Sequence, residues 1–96
     1  MTLTERGILE SALITYGQKA QIMMCIEECA ELTNALAKMP RGRVTEAEII
    51  TELADVSIIV DQLSMMFGEE KVFEERQRKI QRLEMRLAEA RKGGDQ

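Results

Sequence analysis

Apolar residues recur along this chain at helical spacing almost from end to end. Ile8, Leu9, Ala12, Leu13 and Tyr16 follow a Thr2–Glu5 pair with capping-box spacing and predict a short amphipathic helix over about 4–16, ended by Gly17. A second segment, about 18–39, carries Ile22, Cys25, Ile26, Cys29, Leu32, Thr33 and Leu36 on one face, and Pro40 stops it because proline lacks the backbone N–H. Thr45 with Glu48 repeats the capping box and opens a helix over about 46–67 whose stripe is Ile49, Leu53, Val56, Ile59, Val60, Leu63 and Phe67. After Gly68 a fourth segment, about 69–92, repeats Phe73, Ile80, Leu83, Leu87 and Ala90 among charges, and Gly93-Gly94 predicts a disordered tail over 93–96. No stretch alternates with the period of a strand. The expectation is an all-α, single-domain protein over 1–96, a four-helix bundle-like protomer.

Composition changes this picture in one respect. A chain of 96 residues buries a modest share of its surface alone, and with only three aromatics the core must come from aliphatic residues and seven Met. Completion of the core by homo-oligomerisation is therefore expected, with a dimer as the minimum. The net charge of −4 gives no case for nucleic-acid binding, and the bases collect after Lys71. No apolar run is long enough to span a bilayer and no secretory N-terminus is present, so a cytoplasmic protein without membrane partners is expected. Cys25 and Cys29, with no His in the chain, read as buried reduced thiols and not as a metal site.

Charge inside the apolar pattern is more informative. Helical spacing places Glu28 and Glu31 one turn apart with Glu27 beside them, and Glu52 one turn from Asp55. At about 100° per residue, Glu52 falls inside the apolar arc of its own helix, between Ile59 and Leu63. A carboxylate there must meet a cation or hydrogen bonds, or take up a proton. Glu27, Glu28 and Glu31 fall instead on the side away from the Ile22, Cys29, Leu36 stripe, a face that also carries Ala20, Met24 and Ala35 and so has the look of a packing surface. Spacing alone leaves open a metal site and ordinary surface charge.

Glu27-Glu28-Cys29-Ala30-Glu31, followed after twenty residues by Glu52-Leu53-Ala54-Asp55, resembles the Glu-Glu-x-x-Glu and Glu-x-x-Asp signature of the all-α nucleoside triphosphate pyrophosphohydrolases, the MazG-like and dimeric dUTPase-like superfamily. The resemblance implies Mg²⁺-dependent hydrolysis of a (deoxy)nucleoside triphosphate to the monophosphate and pyrophosphate, in nucleotide-pool house-cleaning, with Mn²⁺ as a possible substitute. It implies Glu28, Glu31, Glu52 and Asp55 as metal ligands and Glu27 as a catalytic residue that holds a second metal or orients the attacking water. Lys79 and Arg82 resemble the family's phosphate-binding positions, with Arg41 and Arg43 weaker candidates, and a dimer or tetramer follows by the same resemblance. For the base and sugar the candidate is Gln21, which shares a helical flank with Glu28. The alternatives are a non-catalytic helical interaction module, in which the recurrence of Phe73, Ile80 and Leu87 pairs with a partner helix, and a nucleotide sensor without turnover.

Overall fold

In the computed structural model, which describes residues 1–94, the chain is all-helical, with no strand among the described residues. Helix α1 spans Leu3–Tyr16, α2 Gln18–Ala37, α3 Glu46–Phe67 and α4 Glu69–Gly94, and a single 3₁₀ turn over Met39–Arg41 lies between α2 and α3.

The punctuation read from the sequence is made by hydrogen bonds. At the start of α1 the Glu5 amide donates to Thr2 Oγ1 at 3.0 Å and the Thr2 amide donates to Glu5 Oε2 at 2.8 Å. Thr45 and Glu48 repeat the exchange before α3, at 3.0 and 3.2 Å. Each box satisfies two amides that a helix start otherwise leaves without partners. Between α1 and α2 a single residue suffices, because Gly17 adopts φ 88° and ψ 158°, a region closed to side chains by their Cβ.

Two helix ends differ from expectation. Helix α2 closes at Ala37 rather than at 39: Pro40 has no amide to continue the hydrogen-bond ladder to Leu36, and the chain goes on as a 3₁₀ turn. Helix α4 runs through Gly93 and Gly94, where a disordered tail is expected; two glycines at a helix end cost only propensity, which the preceding turns of α4 support. Residues 95 and 96 lie outside the described residues.

The chain forms two compact units, Met1–Met66 and the segment from Phe67 onward. Within the first, Gln21, Glu28, Asp55 and Gln62 line one cavity while Glu31, Ala35, Glu48 and Glu52 line another. The start of α2 thus faces the end of α3, so the two helices run antiparallel. Residues Glu5, Ile8 and Leu9 of α1 line a further cavity with Ser57, Ile58 and Asp61, which sets α1 against the later half of α3. The second unit is α4, a helix with a Glu75–Arg78 ion pair on its surface.

The inward face of α2 is not the expected one. Gln21 and Ala35 are its buried residues, with Glu28 half-buried at the same seven-residue spacing, whereas Ile26 and Leu36 are 58% and 42% exposed. The inward face is rotated toward the polar flank and shares part of the expected stripe: Ile22, Cys25 and Leu32 are half-buried, while Ile26, Cys29, Thr33 and Leu36 are exposed. In α3 the expected stripe is split: Ile59 is buried and Ile49, Val56 and Leu63 are half-buried, while Leu53, Val60 and Phe67 are exposed. The cysteines are free, as expected, but not buried: Cys25 is half-buried and Cys29 exposed, their Sγ atoms 4.0 Å apart.

Candidate metal centre

Three carboxylates converge in the first unit. Glu28 and Glu31 stand one turn apart on α2, Glu52 meets them from α3, and one oxygen of each lies within 4.8 Å of the others. The Oε2 atoms of Glu28 and Glu52 are buried and have no hydrogen-bond partner. Both residues hold their protons more tightly than an ordinary glutamate. For Glu28 the first cause is burial, followed by the charges of Glu31, Asp55, Glu52 and Glu27. For Glu52 it is again burial, then Glu31 and Asp55, and a side-chain hydrogen bond with Glu31 that needs a proton on one of the two carboxyls.

Asp55 and Glu27 complete the group at longer range. Asp55 is exposed, one turn beyond Glu52, and lines a cavity together with Glu28. Glu27 is exposed beside Glu28 and acts on it through charge. The acids thus have a geometric inner set of Glu28, Glu31 and Glu52, with Asp55 and Glu27 around it.

The donor set fits a hard divalent cation. Oxygens within 4.8 Å of one another approach the span of an octahedral shell with ligands at about 2.0–2.1 Å. All three donors are carboxylates, with neither the soft sulfur nor the imidazole that would favour zinc or copper. The orphaned Oε2 atoms and the tightened protons are relieved either by a bound proton or by a cation between α2 and α3.

Two cavities meet at this cluster. One, of about 200 Å³, is lined by Gln21, Met24 and Glu28 of α2, Asp55, Ile59 and Gln62 of α3, and Tyr16 of α1. The other, of about 390 Å³, is lined by Glu31, Asn34 and Lys38 of α2, Arg43 and Val44 of the connection, and Glu48 and Glu52 of α3. Glu28 belongs to the first cavity, and Glu31 and Glu52 to the second. Acidic oxygens therefore connect an amide-lined hollow to one that carries two basic side chains.

Of the residues singled out in the sequence, Gln21 is almost fully buried and its Oε1 has no partner. Lys79 and Arg82 lie on α4, in the second unit, where Lys79 borders a shallow apolar groove with Val72, Ile80 and Leu83. Arg43 lines the cavity beside Glu31 and Glu52. Lys38 and Gln62 escaped the sequence reading. Gln62 stands seven residues after Asp55, as Gln21 stands seven before Glu28, so heptad spacing from the acids was the signal that could have found it. No protein-family model, curated protein or solved structure matches the chain.

Proposed function

We propose that the protein is a Mg²⁺-dependent nucleoside triphosphate pyrophosphohydrolase whose site lies between α2 and α3. The observation that carries the reading is the convergence of Glu28, Glu31 and Glu52, two of them with buried oxygens that lack partners, at the junction of the two cavities. Ordinary surface acids keep their oxygens in water and do not accumulate on the inward flank of two packed helices. The acidic positions match the superfamily signature, which supplies the reaction class.

In this reading Glu28, Glu31 and Glu52 hold the cation, with Asp55 completing its shell. A bound Mg²⁺ neutralises triphosphate oxygens and makes a water more acidic. The protein's own contribution is placement. Lys38 and Arg43 offer donors to the phosphate oxygens from the larger cavity, and the antiparallel pair α2 and α3 brings the carboxylates together. Glu27, exposed beside Glu28, is the residue that would orient the attacking water or accept its proton. Lys79 and Arg82 remain phosphate-binding candidates by resemblance, whereas the basic pair of the first unit has geometry in its favour.

The assembly belongs to the same proposal. Leu9, Ala35 and Ile59 are the buried apolar residues of the described chain, a small core for this length, while Ile26, Leu36, Leu53 and Val60 stand exposed. A second copy of the chain, presenting the same outward stripes, covers them, and a homodimer is the smallest assembly that does so.

The test is a panel of nucleoside triphosphates assayed for pyrophosphate release with Mg²⁺ and with EDTA. Turnover with Mg²⁺ alone is expected, and Glu52→Gln should lower kcat by about 10³-fold or more, the several kcal/mol that metal-borne charge stabilisation supplies. Silence across the panel, or full activity of Glu52→Gln, overturns the reading.

A further inference from the structure

Cys25 and Cys29 are the two thiols of the chain, and no histidine accompanies them. They stand one turn apart on α2, Cys25 half-buried and Cys29 exposed, with their Sγ atoms 4.0 Å apart. That placement excludes one chemistry and admits another. A disulfide needs its Cβ atoms about 3.5–4.5 Å apart, whereas residues at i and i+4 of a helix hold theirs at about 5–6 Å, so the bond does not close while α2 stays helical. A cation asks for less. Thiolate–zinc bonds are about 2.3 Å long, and two bonds of that kind span up to about 4.6 Å from sulfur to sulfur. Both sulfurs can therefore hold one ion with the helix undisturbed.

We propose that Cys25 and Cys29 form a two-sulfur site for a soft monovalent cation, with copper(I) as the ion that fits it. Thiolate sulfur selects soft ions over the hard ones that oxygen prefers. Zinc asks for four ligands of the cysteine and histidine kind, and one chain offers two. Copper(I) is satisfied by two. A separation of 4.0 Å is longer than the edge of about 3.8 Å in a tetrahedral site with such bonds, so the angle at the metal opens toward the linear one that two-coordinate copper(I) prefers. Ile22 and Ile26, each three residues before one of the thiols, share their flank and offer no oxygen to a harder ion. The carboxylates of Glu28 and Glu31 converge instead with Glu52 of α3, so α2 carries a hard-ion cluster on one flank and a soft-ion pair beside it. Each thiol that binds gives its proton to the solvent, and no electron is transferred.

The site stands independently of the triphosphate reading and is tested without it. The full chain, reduced and free of oxygen, is titrated with copper(I) held by a competing chromophoric chelator. One copper per chain should be withdrawn, and X-ray absorption should show two sulfur neighbours. Cys25→Ser and Cys29→Ser should each weaken binding by about 100-fold or more, the loss expected when two linked contacts become one. Because seven methionines also carry sulfur, the decisive variant keeps the thiol count and breaks the spacing. Cys29→Ser/Ala30→Cys changes two exposed positions and sets the second thiol about 140° around the helix from Cys25, so it should bind as weakly as the single substitutions. Excess Mg²⁺ should displace no copper from the parent chain. Failure to withdraw copper, one ion shared by two chains, or binding undiminished in any of these variants overturns the proposal. So does loss of copper to Mg²⁺, which would put the ion on the carboxylates.

Discussion

Glu28 and Glu52 are where the proposed chemistry and the stability of the protein meet. Burial and the neighbouring carboxylates disfavour the charged form of both, so their folded-state proton affinity exceeds the unfolded one. The sign of the linkage follows. Below the unfolded value of about 4.3 both groups are protonated in either state and the fold keeps its full stability, which is then lost as pH rises through the raised folded-state values. In the absence of divalent cation the melting temperature should therefore fall as pH rises from acid to neutral. The Glu28→Gln/Glu52→Gln double variant should show a flatter profile, and Mg²⁺ at neutral pH should restore the stability of the parent chain but not of the variant. Thermal melts at several pH values with and without Mg²⁺ read all of this; parallel profiles for parent and variant would refute it. Glu52 was legible in the sequence because it interrupts an apolar arc. Gln62 was not, because an uncharged amide beside Leu63 looks like any helix flank until a cavity is seen next to it.

At the scale of elements, the chain is organised by its interruptions. Gly17 joins α1 to α2 without an intervening loop, and its φ of 88° with ψ of 158° is open to glycine alone. Gly17→Ala should cost about 1–3 kcal/mol, the strain of holding a side chain in that region, although an added Cβ at this position meets no atom within 4 Å. Chemical denaturation measures it directly, and an unchanged midpoint would show that the link relaxes at no cost. The helix starts were fully legible, since Thr2–Glu5 and Thr45–Glu48 are local chemistry acting over three residues. The inward face of α2 was not. Hydrophobic periodicity ranks its Ile22, Cys29, Leu36 side as the core, whereas in the first unit the side of Gln21, Glu28 and Ala35 meets α3.

For the whole molecule, that rotation of α2 and the split stripe of α3 leave Ile26, Leu36, Leu53 and Val60 on the outside. Ile26 is 58% exposed on the stripe that a second copy is proposed to cover. Burying an isoleucine is worth about 1.5–3 kcal/mol, so Ile26→Glu should weaken self-association by about 10–100-fold. Sedimentation across a concentration series is the measurement. A parent chain that is monomeric at all concentrations would refute the assembly, and an Ile26→Glu variant that associates as tightly as the parent would move the interface elsewhere. No described helix is long and apolar enough to cross a membrane, so the exposed stripes are not a spanning segment.

What the sequence determined by itself was local: where the helices begin and end to within a few residues, the absence of strands among the described residues, and the acids most at odds with their surroundings. These follow from hydrogen bonds and steric limits that act within one turn of chain. The tertiary structure decided which flank of α2 faces α3, and through it that Glu28 joins Glu52, that Lys38 and Arg43 stand on one side of the cluster, and that Gln21 and Gln62 share the hollow on the other. Such choices depend on how two helices pack against each other, and a periodicity read along either helix alone carries no term for the other.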